Sequence, residues 1–560
     1  MDLRVFSNKT LRPDLFEGRA QLPLPARWNI WGPLRRLMAR LERQPWFLPA
    51  FGVVFLATAL YLLAGSRPLP FGRWSILGLF LVLVLLLGSL FAYLHALQPR
   101  EVRQPRSLLL LGVIFLTVLL LAWFGEVVIG ALHVSFPHIP VASMQAALPI
   151  PLGGVLLTIL FNPRMAFAGS LCLTLLTGLM LSAPMPFFFY VFVGSLVGVF
   201  AIARRRERTL FFRAGAAVAL ANSYTLVALA LVNGRTETLF ADLIGGVVNG
   251  GILAVLATGI LPLLEHPFER TTAFTLLDLS NLDSPLLRHM VLTVPGTYHH
   301  SIMVGTLAEA AAEAVGANGL LCRVGAYYHD IGKVKHPTYF IENQSDAADR
   351  HERLAPSLSR AIVMSHVKEG IELARAFGLP EILVDLIPQH HGTRLVSFFF
   401  QRAKEAADPE IQAVKEEDYR YPGPRPQTRE AAILMLADTV EAATRTLSDP
   451  TPARIRGVVQ KAINAIFADG QMDECDLTLR DLHLIANSFV RILTGVFHHR
   501  VEYPDTPLQD PPRKRSDDAD HPGKPAAEGP RRNGLAKKSG PGDAGRPEPP
   551  PSDVQRSPGG

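Results

Sequence analysis

The stretch GAYYHDIGKVKHPTYF, residues 325–340, sets a histidine beside an aspartate, His329-Asp330. The pair ends an apolar helical pattern, LLCRVGAYYHDIG, that Gly332 stops. An isolated His-Asp pair says little, because chance supplies many. Its meaning depends on whether the rest of the chain supplies further ligands.

Upstream, PGTYHHS puts Pro295-Gly296 as a breaker before a new helix. There His300, Val304, Leu307 and Ala311 fall on one face, so His300 starts an inward stripe. Downstream, IVMSHVKEG sets His366 on the stripe of Ile362, Gly370 and Leu373. DLIPQHHGT ends a helix on His390 and His391 before Gly392, and AAILMLADTVEAA carries Asp438 in line with Ala431, Leu434 and Ala442. A carboxylate in so apolar a helix costs several kcal/mol unless it is paired or metal-bound. Singly, each residue has an ordinary reading as a core histidine, a half-exposed pair or a buried ion-pair partner. Together, five histidines and two aspartates on five predicted helices match two metal ions, each with about four protein ligands and one shared carboxylate.

With these stretches in hand, residues 262–500 resemble the HD-superfamily phosphohydrolases, whose pattern is H…HD…H…HH…D. More closely they resemble the membrane-anchored, seven-transmembrane HD-domain phosphodiesterases that hydrolyse cyclic di-AMP. The resemblance rests on SPLLRHMVLTVPGTYHHS, RVGAYYHDIGKVKHPTYFIENQ, MSHVKEGIELARAFGLP, QHHGT and ILMLADTVEAATRTL. It implies that His300, His329, Asp330 and Asp438 bind one ion, and that Asp330 bridges to a second completed by His366, His390 and His391. It implies a cyclic dinucleotide substrate cleaved to linear pApA. Nitrogen-rich ligands suit transition ions better than Mg²⁺, and the resemblance favours iron or manganese. Lys333 would add positive charge near the phosphate. Tyr339 or Phe340 is a candidate to stack a base, and Glu342, Asn343 and Gln344 are candidates to read its edge. Relatives of this kind usually carry a large extracytoplasmic domain between a first span and the following seven. Here only about eight residues, 67–74, fill that place.

The 560-residue chain is 49% hydrophobic, with a mean hydropathy of +0.23. It should therefore contain a membrane part. The expected architecture is all-α: a basic segment at 1–45, a transmembrane region at 46–265, an HD domain at 266–503 and a disordered tail at 504–560. The tail is rich in Pro, Gly and charge, and cannot bury a core. No cleavable leader is expected, because the first 45 residues are polar and Arg-rich. About eight spans are expected, near 47–66, 75–97, 107–131, 146–161, 165–182, 186–203, 211–232 and 241–263. Arginines cluster after every second span, at Arg100, Arg103, Arg106, Arg164, Arg204–Arg206 and Arg270. By the positive-inside rule, both termini and the HD domain are then cytoplasmic, on an integral inner-membrane protein.

Three scattered cysteines, Cys172, Cys322 and Cys475, exclude a disulfide framework or a CxxC zinc site. The expected partners are the cyclic dinucleotide and the bilayer, with no nucleic acid polymer; a homodimer is left open. Two other nucleotide hydrolases compete. A cyclic di-GMP enzyme would show a Gly-Tyr-Pro element after the His pair, where HHGTRLVSFFF has none. A nucleotide pyrophosphohydrolase of (p)ppGpp or dNTPs would leave His366, His390 and His391 surplus. A non-enzymatic membrane sensor or transporter with a relic domain would have lost ligands.

Overall fold

A computed structural model of the chain describes residues 32–65, 73–203, 209–234, 236–344, 350–407 and 414–497. The expected tail, the linker at 67–72, Arg204–Arg206 and most of the basic N-terminal segment lie outside the described residues. The described chain is helical; its one β-type contact is an isolated bridge between Leu395 and Arg420.

The membrane region runs α1 (Gly32–Glu42), α2 (Phe47–Gly65), α3 (Arg73–Leu97), α4 (Pro99–Val102), α5 (Pro105–Ser135), α6 (Val141–Gln145), α7 (Leu152–Leu160), α8 (Pro163–Met180), α9 (Met185–Ala203), α10 (Leu210–Asn233) and α11 (Leu239–Phe268). Among the described residues, seven of these helices, α2, α3, α5, α8, α9, α10 and α11, are long and apolar enough to cross a bilayer. They turn large apolar side chains outward, Leu85 at 67%, Tyr224 at 78% and Val255 at 66% exposure. An apolar belt of this extent is stable only against lipid.

The fourth predicted span, 146–161, takes a different form. Its helix is the nine-residue α7, about 14 Å long at 1.5 Å per residue, half of a ~30 Å hydrocarbon core. Residues 146–151 (AALPIP) enter it as irregular chain, because Pro149 and Pro151 cannot donate the hydrogen bonds a helix needs. Backbone of this kind survives at membrane depth only where protein covers it. Here Asn249 on α11 donates to the carbonyls of Ala146 and Leu148, at 3.1 and 2.5 Å, and Tyr190 on α9 donates to Ala146 at 2.7 Å. Hydropathy alone registers a full span; the prolines shorten it.

The chain continues with α12 (Ala273–Leu279), α13 (Pro285–Thr293), α14 (Pro295–Ala314), α15 (Gly319–Tyr328), α16 (Pro356–Ala376), α17 (Glu381–Gln389), α18 (Ser397–Ala406), α19 (Arg429–Arg445), α20 (Pro452–Ala468) and α21 (Leu479–Val496). Pro295, Pro356 and Pro452 occupy first helical turns, where a missing N–H costs nothing. The side chains of Asn318, Thr428 and Thr478 cap α15, α19 and α21. Val304, Leu307, Ile387, Leu434, Ile455 and Phe489 meet in one core, and α19 lies at its centre, with residues 431–437 all buried. That burial fixes where its one aspartate points.

Candidate metal centre

Six elements deliver the predicted ligands to one place. His300 lies in the second turn of α14, and His329 caps the end of α15. Asp330 starts the 3-10 turn Ile331–Lys335, and His366 sits midway along α16. His390 and His391 end α17, and Asp438 projects from α19. Two groups have ligand atoms close enough to hold an ion, His300–His329–Asp330 and Asp330–His366–His390–His391. Asp330 belongs to both. Its Oδ2 lies 3.2 Å from His329 Nε2 and 3.7 Å from His300 Nε2, while its Oδ1 faces His366 Nε2 at 3.4 Å and His390 Nε2 at 3.8 Å. Asp438 Oδ1 closes the first group, 3.1 Å from His300 and 3.8 Å from His329.

The outer nitrogens explain the orientation. In three rings Nδ1 lies on the carbonyl three residues back: His329 on Ala326, His366 on Val363 and His390 on Ile387, at 2.6, 2.5 and 2.6 Å. The proton must therefore reside on Nδ1, which leaves the Nε2 lone pair aimed inward. His300 Nδ1 instead donates to Glu441 at 2.6 Å. The inward atoms then lack partners: His329 Nε2, His390 Nε2 and Asp330 Oδ1 are buried without a hydrogen bond. His391 Nε2 and His366 Nε2 face each other at 3.2 Å. Buried acceptors left so are costly unless a cation joins them. The donor set fits a pair of divalent metal ions.

The electrostatics agree. Burial pushes His390 down to about 3 and drives His366 and His391 in the same direction, which keeps these rings neutral, as ligands must be. Burial opposes charge at Asp330 too, yet His329 and Lys333 hold its carboxyl well below the usual range; His300 and His329 do the same for Asp438. Although burial works against it, Asp330 raises His329 to about 10. A proton on His329 supplies positive charge of the kind a bound cation would bring there.

Gly332 brings the two halves together. Its backbone lies directly on α16 between His366 and Gly370, and a Cβ there would overlap the His366 carbonyl oxygen. Lys333 Nζ bridges Asp330 Oδ2 and Glu342 Oε1, at 2.8 Å each. Glu342 also accepts from Thr297, and Asn343 accepts from the Thr297 backbone N–H, so both residues are tied to the start of α14. Tyr339 is half-buried, its ring 5.6 Å from that of His351, and Gln344 donates to the Thr338 carbonyl.

Two neighbours of the site went unread in the sequence. Glu441 is buried on His300, whereas Ala442, expected on the inward stripe, is exposed. Its spacing of three from Asp438 was the available signal. Tyr421 stacks on His391 with ring centroids 4.2 Å apart. It comes from irregular chain, where no periodicity announces it.

Apolar spanning helices that continue into an all-helical domain, with two histidine clusters sharing one aspartate, define a polytopic membrane protein with an attached metal-site domain. Residues 73–272 match the family described as "7TM receptor with intracellular HD hydrolase", and residues 297–443 match the HD domain. The two matches join a seven-transmembrane region to an HD domain in one chain. It is 39% identical over 437 residues to "Cyclic-di-AMP phosphodiesterase PgpH" of Bacillus subtilis, which covers 76% of this chain and 60% of that one. It is 36% identical over 435 residues to the protein of the same name from Listeria monocytogenes, covering 76% and 59%. The chain thus spans about 60% of the length of these relatives. A solved structure described as the L. monocytogenes phosphodiesterase PgpH HD domain in complex with cyclic-di-AMP is 46% identical, covers 39% of this chain and is itself wholly covered, with a TM-score of 0.37.

Proposed function

We propose that the protein is a membrane-anchored phosphodiesterase that uses two metal ions, iron or manganese, to hydrolyse cyclic di-AMP to linear pApA. The observation that carries this reading is Asp330, whose two carboxylate oxygens face two separate histidine groups. The printed names of the Bacillus and Listeria relatives support the choice of substrate.

When bound, the ions supply positive charge to a phosphodiester and bring the pKa of a water towards neutrality. The chain's own residues do the rest. His300, His329 and Asp438 would hold one ion, His366, His390 and His391 the other, and Asp330 would be shared between them. The Nδ1 hydrogen bonds lock each ring, so the geometry is in place before substrate arrives. Lys333, held by Asp330 and Glu342, places a fixed cation beside the phosphate and never needs to give up its proton. Glu342 and Asn343 brace the 337–344 loop on Thr297; we assign the reading of the base to Tyr339 and Gln344 on that loop. A site built to pair one base edge rejects another strongly, because its polar groups are then left unpaired.

The catalytic domain belongs in the cytoplasm on this reading. With α7 completing an eighth, shortened crossing, the number is even and both ends of the chain lie on the arginine-rich side. The test is one parallel assay: full-length protein in detergent, loaded with Mn²⁺ or Fe²⁺, offered cyclic di-AMP, cyclic di-GMP, ppGpp and dATP. We expect pApA, with cyclic di-GMP clearly poorer in kcat/KM. Equal rates, or preference for another nucleotide, would overturn the substrate.

A further inference from the structure

A cavity of about 520 Å³ lies where α11 leaves the apolar region and meets the HD domain. Phe211, Leu261 and Glu265 line it from the membrane side, and Phe274, Leu286, Tyr328 and Phe377 from the HD domain. The size is that of a small-molecule site. Its walls are mostly apolar, with one buried charge. Glu265 is 6% exposed, and its Oε1 has no hydrogen-bond partner among the described residues. Glu265 Oε2 accepts a long contact from Thr275 at 3.5 Å, and among the described residues Arg270 binds Glu101 and Ser107 while Arg106 binds Glu42 and Glu269. A buried carboxylate oxygen with no donor, on the wall of an apolar cavity, asks for a cation with an apolar body.

We propose that this cavity is a regulatory binding site for an amphipathic organic cation, an ammonium group on an apolar frame. The ammonium pairs with Glu265, and the frame fills the space between α11 and the HD domain. Occupancy reaches the metal centre by a short route. Tyr328 lines the cavity, donates to the Leu279 carbonyl at 2.9 Å, and directly precedes His329 and Asp330. The cavity touches no metal ligand, so it is distinct from the substrate site.

The test uses the full chain in lipid nanodiscs and dansylcadaverine, a primary ammonium on a fluorescent apolar ring system, with its neutral N-acetyl derivative alongside. Saturable binding of the cation, at least tenfold tighter than the neutral derivative, is expected for the wild type. Glu265→Gln should collapse that tenfold difference while the protein keeps its melting temperature within a few degrees. Leu279→Trp, which fills the cavity from an apolar position that makes no hydrogen bond to Glu265, should remove saturable binding of both probes. Equal affinity for the two probes, unchanged binding in Glu265→Gln, or no saturable binding to the wild type would each overturn the proposal. Binding that survives Leu279→Trp would place the probe in lipid and overturn it as well.

Discussion

Replacing Gly332 by alanine should separate the two metal groups without touching a ligand. The new Cβ would overlap the His366 carbonyl oxygen and lie 2.6 Å from the Gly370 nitrogen, where ordinary contact begins near 3.4 Å. Both opposing atoms are helix backbone, so no rotamer relieves the overlap. The 3-10 turn must withdraw from α16 by about 1 Å, and overpacking of this kind costs ~1–3 kcal/mol. Asp330, two residues away, moves with the turn while His366 stays on α16. Metal ligands tolerate errors of about 0.2 Å, so the second ion should be lost while His300, His329 and Asp438 retain the first. A misplacement near 1 Å costs roughly 100-fold in rate, about 2.7 kcal/mol of transition-state stabilisation. The measurements are metal content per chain, kcat/KM for cyclic di-AMP and a thermal melt. Gly370→Ala is the control, since its Cβ would meet only the Ile387 methyl at 3.2 Å and then ordinary contacts. A Gly332→Ala protein with two ions and turnover within threefold of wild type would refute this account of how the halves are aligned.

Asp330→Ala should abolish turnover and both ions, whereas His391→Ala should lose one ion and be partly rescued by excess metal; metal titrations of the two variants decide. Glu441→Ala frees His300 Nδ1 and should weaken metal affinity by about 10–100-fold, seen as a shift in the Mn²⁺ activation curve. The metal-free protein should be most stable near the ordinary histidine pKa of about 6.5. Below it, the unfolded chain takes up protons that His366, His390 and His391 refuse until their depressed values are reached (about 3 for His390), so stability falls with acid by on the order of 1 kcal/mol per pH unit for each ring. Above it, stability falls as pH rises towards the raised value of His329, about 10, and thermal melts across pH with chelator present would show a flat profile if this is wrong. Reporter fusions after residues 140 and 184 should read outside and those after 103, 206 and 505 inside; an outside reading at 505 would remove the domain from its nucleotide pool.

Much of the site is legible in the sequence because each ligand interrupts an apolar stripe. His300 shares its face with Val304, Leu307 and Ala311, all fully buried, and the structure brings six of the seven named residues into the two groups, with Asp438 beside the first. Helical periodicity carries less at the end of a stripe: one step of phase exchanges Glu441 for Ala442. It carries nothing for Tyr421 or for the close approach of Gly332 to α16, which depend on how separate elements pack. The membrane region shows the same division. Long apolar runs reveal their helices, yet 146–161 passes a hydropathy reading while two prolines shorten it to α7. The side chains that make this tolerable, Tyr190 and Asn249, lie about 40 and 100 residues further on.

That separation sets an order on the birth of the protein. When α7 leaves the ribosome, the carbonyls of Ala146 and Leu148 have no donor, and lipid can offer none. Each would cost several kcal/mol in hydrocarbon. Asn249 is synthesised 103 residues after Ala146, roughly 5–20 s later at 5–20 residues per second. Through that interval residues 146–160 must wait in the insertion channel or at the headgroup boundary, and they settle when the last helix arrives. Nascent chains arrested before residue 240 should leave 146–151 open to water-soluble labels that the finished protein excludes.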